Sequence, residues 1–97
     1  MAEPEKKQLA IEIDEVTAQG MYSNLAYIVH SEQEFLLDFM FLSPQQPKAK
    51  VRARIITSPK HAKRFMSALA ENIQKYEARY GVIPADSQPT SEPEIYN

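Results

Sequence analysis

The chain has 97 residues, of which 43% are hydrophobic and 25% charged, and it contains no cysteine. These values are typical of one soluble globular domain, and they exclude a multidomain enzyme, a disulfide scaffold and a thiolate metal site. The formal net charge of −2 excludes a polycation, so any electrostatic function depends on local clusters of charge. The sequence shows neither a signal peptide nor a membrane span, and we expect a cytoplasmic protein without a membrane partner.

Composition divides the chain into three parts. Residues 1–7 are expected to be mobile, and the acidic, proline-rich tail 84–97 carries too few apolar residues to offset the entropy of ordering it. Between them, residues 8–83 are predicted to form a single α+β domain. A domain of about 76 residues is close to the size at which one hydrophobic core barely exceeds conformational entropy. We therefore expect a homo-oligomer, most simply a two-fold dimer.

Four segments have the period-two alternation of apolar and polar residues that is typical of half-buried strands. They are residues 8–14, 22–30, 34–42 and 48–57. A three-residue loop at 31–33 would place Val29 opposite Phe35, and the next hairpin would pair Phe39 with Val51. The segments thus predict a four-stranded antiparallel meander.

This register brings opposite charges together across two strands. Asp38 would lie directly across from Arg52, which predicts a structural ion pair. One face of the sheet would carry the apolar residues on which a helix packs. These are Leu25, Tyr27, Phe35, Leu37, Phe39, Val51 and Ile55.

A long C-terminal helix is predicted over residues 59–80. Ser58 is suited to cap its first turn, Pro59 to occupy its first position, and Gly81 to end it. Apolar residues recur at spacings of three and four and form one face of the helix, the helix stripe. It consists of Ala62, Phe65, Met66, Leu69, Ile73, Tyr76 and Tyr80. A helix of 22 residues spans about 33 Å, more than the sheet requires, which leaves part of the stripe for a partner.

Charge is segregated along the chain. Residues 8–42 contain six acids and no Lys or Arg, whereas residues 43–64 contain seven bases and no acid, all in the basic block 48–64. The start of the helix adds backbone donors to a candidate anion-binding group. This group is Lys60, His61, Lys63 and Arg64. Nucleic-acid binding through the basic block is the alternative function, disfavoured because acids on neighbouring strands can neutralise the block and no exposed aromatics interleave with it.

No group of residues forms a recognisable catalytic site. His30, Ser31, Glu32 and Glu34 lie in a polar loop with no second set of metal ligands. An enzyme would most simply combine His61 with Asp38 between subunits. We expect no enzyme activity, no cofactor and no metal. The favoured function is a non-enzymatic homo-oligomeric module that binds a protein partner, of which chaperone-like binding is one form.

Three stretches carry a family resemblance: MYSNLAYIVHS, EFLLDFMFL and KVRARIITSPKHAKRFMSALAENIQKYEARYG. Together they resemble a small bacterial and archaeal family known as a domain of unknown function, number 3467 of that series. The resemblance spans residues 20–81 and implies a compact single domain with no assigned activity. More loosely, the order of four strands and a long helix is similar to that of the export chaperone SecB, which is oligomeric, but this likeness is one of element order alone.

Overall fold

The structure, a computed structural model, describes residues 8–84. Its elements are α1 (Glu15–Gln19), β1 (Leu25–His30), β2 (Phe35–Leu42), β3 (Ala49–Thr57) and α2 (Pro59–Tyr80). The strands form one antiparallel sheet in the order β1-β2-β3. This confirms an α+β fold with an antiparallel meander and a long C-terminal helix, but with three strands instead of four. The predictions of a mobile N-terminus at 1–7 and a disordered tail lie outside the described residues, except for Pro84.

The prediction of a strand at residues 8–14 was wrong. These residues form neither strand nor helix, and Leu9 and Ile11 are 83% and 84% exposed. The short helix α1 follows directly, because the carboxylate of Asp14 accepts a hydrogen bond of 2.7 Å from the Thr17 amide. Alternation shows that a segment is suited to pair in a sheet, but pairing also requires a free edge within reach. Within residues 8–84 the segment pairs with neither outer strand of the sheet, although each of these strands has an unpaired edge.

The β1–β2 hairpin has a four-residue loop instead of the predicted three. The Ser31 hydroxyl accepts hydrogen bonds from two amides of the loop, and the Ser31 amide donates to the Glu34 carbonyl at 2.8 Å. His30 consequently faces Phe35, so the predicted register, with Val29 opposite Phe35, was wrong by one residue. Because β1 has apolar residues on both of its faces, the apolar pattern of the sequence was compatible with either register.

A β-bulge interrupts the β2–β3 ladder. Phe39 pairs with Ala53 and Met40 with Val51, which leaves Arg52 as the extra residue on β3. The predicted pairing of Phe39 with Val51 was therefore wrong. A bulge inserts one residue into one strand and changes the phase of alternation beyond it, and the sequence of β3 carries no separate signal for it.

Both faces of the sheet are apolar, and α2 begins over one of them. Residues directly opposite in an antiparallel ladder share a face. The helix face carries Ile28, Phe35, Leu37, Phe39, Phe41, Ala53 and Ile55, and the open face carries Leu25, Tyr27, Val29, Leu36, Met40, Val51 and Ile56. Of the residues predicted to face the helix, Phe35, Leu37, Phe39 and Ile55 lie on the helix face, whereas Leu25, Tyr27 and Val51 lie on the open face. The shifted hairpin register moves Leu25 and Tyr27 to the other face, and the bulge moves Val51. The predicted packing of α2 on the sheet is limited to the start of the helix, and no residue of α2 is buried.

The long helix begins and ends where the sequence predicts. The Ser58 hydroxyl accepts a hydrogen bond of 3.1 Å from the His61 amide, Pro59 occupies the first turn, and Gly81 ends the helix with φ of 104°. None of the 22 residues of α2 is buried. Among the described residues, the buried hydrophobic side chains are Leu25, Leu37 and Met40 alone. The radius of gyration of 17.4 Å also exceeds the about 12 Å of a compact domain of this size.

Candidate functional site

A small apolar cleft lies where the start of α2 crosses the helix face. Its volume is about 130 Å³. The lining residues are Leu37, Phe39, Ile55, Thr57, His61 and Phe65. Pockets that hold small molecules typically measure about 300–1,000 Å³, so this cleft is better suited to a side chain of a protein partner.

The helix stripe extends this apolar surface away from the cleft. From Phe65 to Tyr80, its large side chains remain between 39% and 66% exposed. The rings of Tyr76 and Tyr80 are 4.9 Å apart, and the Arg79 guanidinium lies 5.5 Å from the Tyr80 ring centre. Contiguous apolar patches of this kind are uncommon on soluble monomers and mark interaction surfaces. Several sheet residues on both faces, including Ile28, Val51 and Ile56, are exposed as well.

An ion pair crosses the open face of the sheet. The Nε and Nη2 atoms of Arg54 donate to the two carboxylate oxygens of Asp38 at 2.8 and 2.9 Å, a bidentate arrangement. Asp38 is 6% exposed. The hydrogen bond from Arg54 holds the pKa of Asp38 below its usual value despite opposing desolvation, and the same hydrogen bond raises the pKa of Arg54.

The predicted pairing of Asp38 with Arg52 was wrong. The bulge displaces Arg52 from the ladder, and its guanidinium lies 5.5 Å from the ring centre of Phe41 instead. The alternating bases of β3 offered two candidate partners, and only the position of the bulge decides between them. Arg54, one cation of the basic block, is therefore neutralised by Asp38 within the sheet.

The predicted anion-binding group lies at the exposed start of α2. Lys60, His61, Lys63 and Arg64 are all exposed, and the His61 amide is already bonded to Ser58. His61 also lines the apolar cleft. In residues 8–84 these cations are therefore not arranged into a formed anion-binding site, and only their positive charge, known from the sequence, supports one.

We expect no tight nucleic-acid binding from this surface. Affinity for duplex DNA at physiological salt should be no tighter than the roughly micromolar range of nonspecific binding. Replacing Lys60, Lys63 and Arg64 together by alanine should leave the melting temperature unchanged, because all three are exposed and lie off the helix stripe. Fluorescence anisotropy across a salt series measures the affinity. Submicromolar binding with a steep salt dependence, lost in the triple variant, would make the nucleic-acid alternative the better one.

The residues considered for chemistry are not brought together within one chain. Asp38 lies on the open face, whereas His61 lines the cleft on the helix face. His30 stacks on Phe35 at 5.3 Å. Over residues 8–84, no three His, Asp or Glu side chains are grouped so that they could hold a metal ion. In the same range, no helix has both the length and the hydropathy needed to cross a bilayer.

Comparison with known protein families identifies the family of this chain. A family model described as a protein of unknown function (DUF3467) matches residues 1–85, and the chain belongs to this family. No curated protein and no solved structure matches it significantly, so the looser likeness to SecB gains no support.

Proposed function

We propose that this member of the DUF3467 family is a non-enzymatic interaction module that acts as a homo-oligomer and presents its remaining surface to a protein partner. The observation that carries the proposal is the unpacked helix stripe, none of whose members is buried in a single chain. The core between residues 8 and 84 is small, so the isolated chain has little burial to offset conformational entropy, and assembly would add to it.

Pairing two copies through the helix stripe supplies that burial. Fully burying a Leu, Ile, Phe or Met side chain contributes about 1.5–3 kcal/mol, and the stripe offers several of them on each chain. A two-fold arrangement sets the same stripe against itself, so that every apolar residue gains a partner. The exposed apolar residues of the open face, Val29, Val51 and Ile56, then remain available to a protein partner.

Sedimentation equilibrium at tens of micromolar tests the assembly directly. We expect a mass of at least twice the 11.1 kDa of one chain. A monomer under these conditions would refute the homo-oligomer. For the chaperone-like form of the function, the assembled protein should suppress aggregation of an unfolded client at near-stoichiometric ratios, because its free apolar faces bind exposed hydrophobic segments. Absence of suppression with several clients would restrict the role to a specific partner.

A further inference from the structure

The segment 8–14 has the pattern of a strand but pairs with none of the described strands. Leu9, Ile11 and Ile13 alternate with smaller or acidic residues, and all three are more than 60% exposed. No proline interrupts the segment, so every backbone amide could join a ladder. It continues without a break into α1, whose first turn Asp14 caps.

The described sheet offers a matching free edge on β3. This strand pairs with β2 on one side only, and its nine residues also contain no proline. The other outer strand, β1, has six residues and no Lys, Arg, Asp or Glu. An unpaired edge is a template for an added strand. Of the two edges, β3 is the one long enough to hold the whole segment.

Charge also selects β3. The segment carries Glu12 and Asp14, whereas β3 carries Lys50 and Arg52 in its first half, in addition to the Arg54 that Asp38 neutralises. Lys50 lies opposite Phe41, and Arg52 lies against the Phe41 ring, which places both cations on the helix face. Opposite charges on neighbouring strands stabilise their pairing, and like charges oppose it.

From these observations we propose that residues 8–14 of one copy add to the outer edge of β3 of a second copy as an antiparallel strand. This proposal rests on the homo-oligomer proposed above. With Glu12 opposite Lys50, Ile11 would lie beside Val51 and extend the open face together with Leu9 and Ile13, and the acids would lie on the helix face. The antiparallel direction follows because the acids stand in the second half of the segment and the free cations in the first half of β3.

A reciprocal charge swap tests this arrangement. Glu12→Lys and Lys50→Glu are made separately, and dimer dissociation is measured at low salt for each variant and for their equimolar mixture. Each variant's homodimer would contain a repelling pair twice, and we expect its Kd to rise about tenfold. In the mixed dimer both contacts are again attractive, so the mixture should associate nearly as tightly as the wild type. Recovery on mixing also shows that both variants are folded.

Backbone pairing is tested at the centre of the segment. Ile11→Pro removes an amide and should raise the dimer Kd at least as much as the charge changes do, whereas the control Ile11→Val should not change it. A mixture of the charge variants that binds no more tightly than either alone would overturn strand addition. If the wild type is dimeric in that case, the homo-oligomer stands and only this inference fails. A monomeric wild type would overturn both.

Discussion

Replacing Arg54 by alanine is expected to lower the melting temperature by about 5 °C or more, as measured by circular dichroism. The change removes both hydrogen bonds to Asp38 and leaves a carboxylate with 6% exposure unpartnered. Arg52→Ala is the matched control on the same strand, since it removes a cation that bonds no carboxylate of the described residues. We expect it to cost clearly less. A larger loss for Arg52→Ala would mean that the bulge does not lie where the structure has it.

The same ion pair gives a pH dependence of known sign. Because the pKa of Asp38 is lowered in the folded chain, its contribution to stability is complete above the pKa of the unfolded chain, about 3.9. It is lost as the pH falls through the lower folded value. The stability difference between wild type and Asp38→Asn should thus be largest near neutral pH and shrink below about pH 4. A difference that grows on acidification would contradict this assignment.

Changing Leu69 and Ile73 to glutamate should weaken self-association about a hundredfold or more. Leu69 and Ile73 are 49% and 39% exposed, so each of the four side chains in a dimer would lose about half of the 1.5–3 kcal/mol of full burial, roughly 3–6 kcal/mol in all. The Kd rises tenfold for every 1.4 kcal/mol. The helix itself should persist, because both positions are exposed in the single chain and glutamate is a good helix former. Sedimentation equilibrium gives the Kd, and circular dichroism gives the helix content.

The control for this change is Gln74→Glu with Ala78→Glu. These residues have the same four-residue spacing and add the same charge, but they lie on the opposite side of α2 from the helix stripe. Their Kd should stay within about threefold of the wild type, as expected for changes to an exposed helix surface. Equal weakening by both pairs would mean that added charge, and not the stripe, controls association.

Local signals in the sequence were sufficient for the helix and for the last three strands. Ser58, Pro59 and Gly81 each act within one turn of the residue that carries the signal, and the structure confirms the helix they delimit. The family resemblance is confirmed too. The length of the helix also predicted an exposed part of the helix stripe, because 22 helical residues extend further than the sheet requires.

The errors concern relations between segments. Val29 and Phe35 were expected to face each other, but the loop closed by the Ser31 hydroxyl shifts the strands by one residue. The partner of Asp38 depends on a bulge that no composition or turn residue in β3 announces. Registers of this kind are set by the fit of two strands, and apolar residues on both faces made several fits nearly equivalent.

The cations on β3 also disfavour the pairing of its edge with another basic strand. Two copies of β3 brought edge to edge would place Lys50 and Arg52 of one chain near the same cations of the other, and this repulsion opposes open-ended stacking of sheets. The uncharged edge of β1 has no such protection other than its length of six residues. The charge of this one strand thus opposes aggregation through two β3 edges, while an acidic strand can still pair with it.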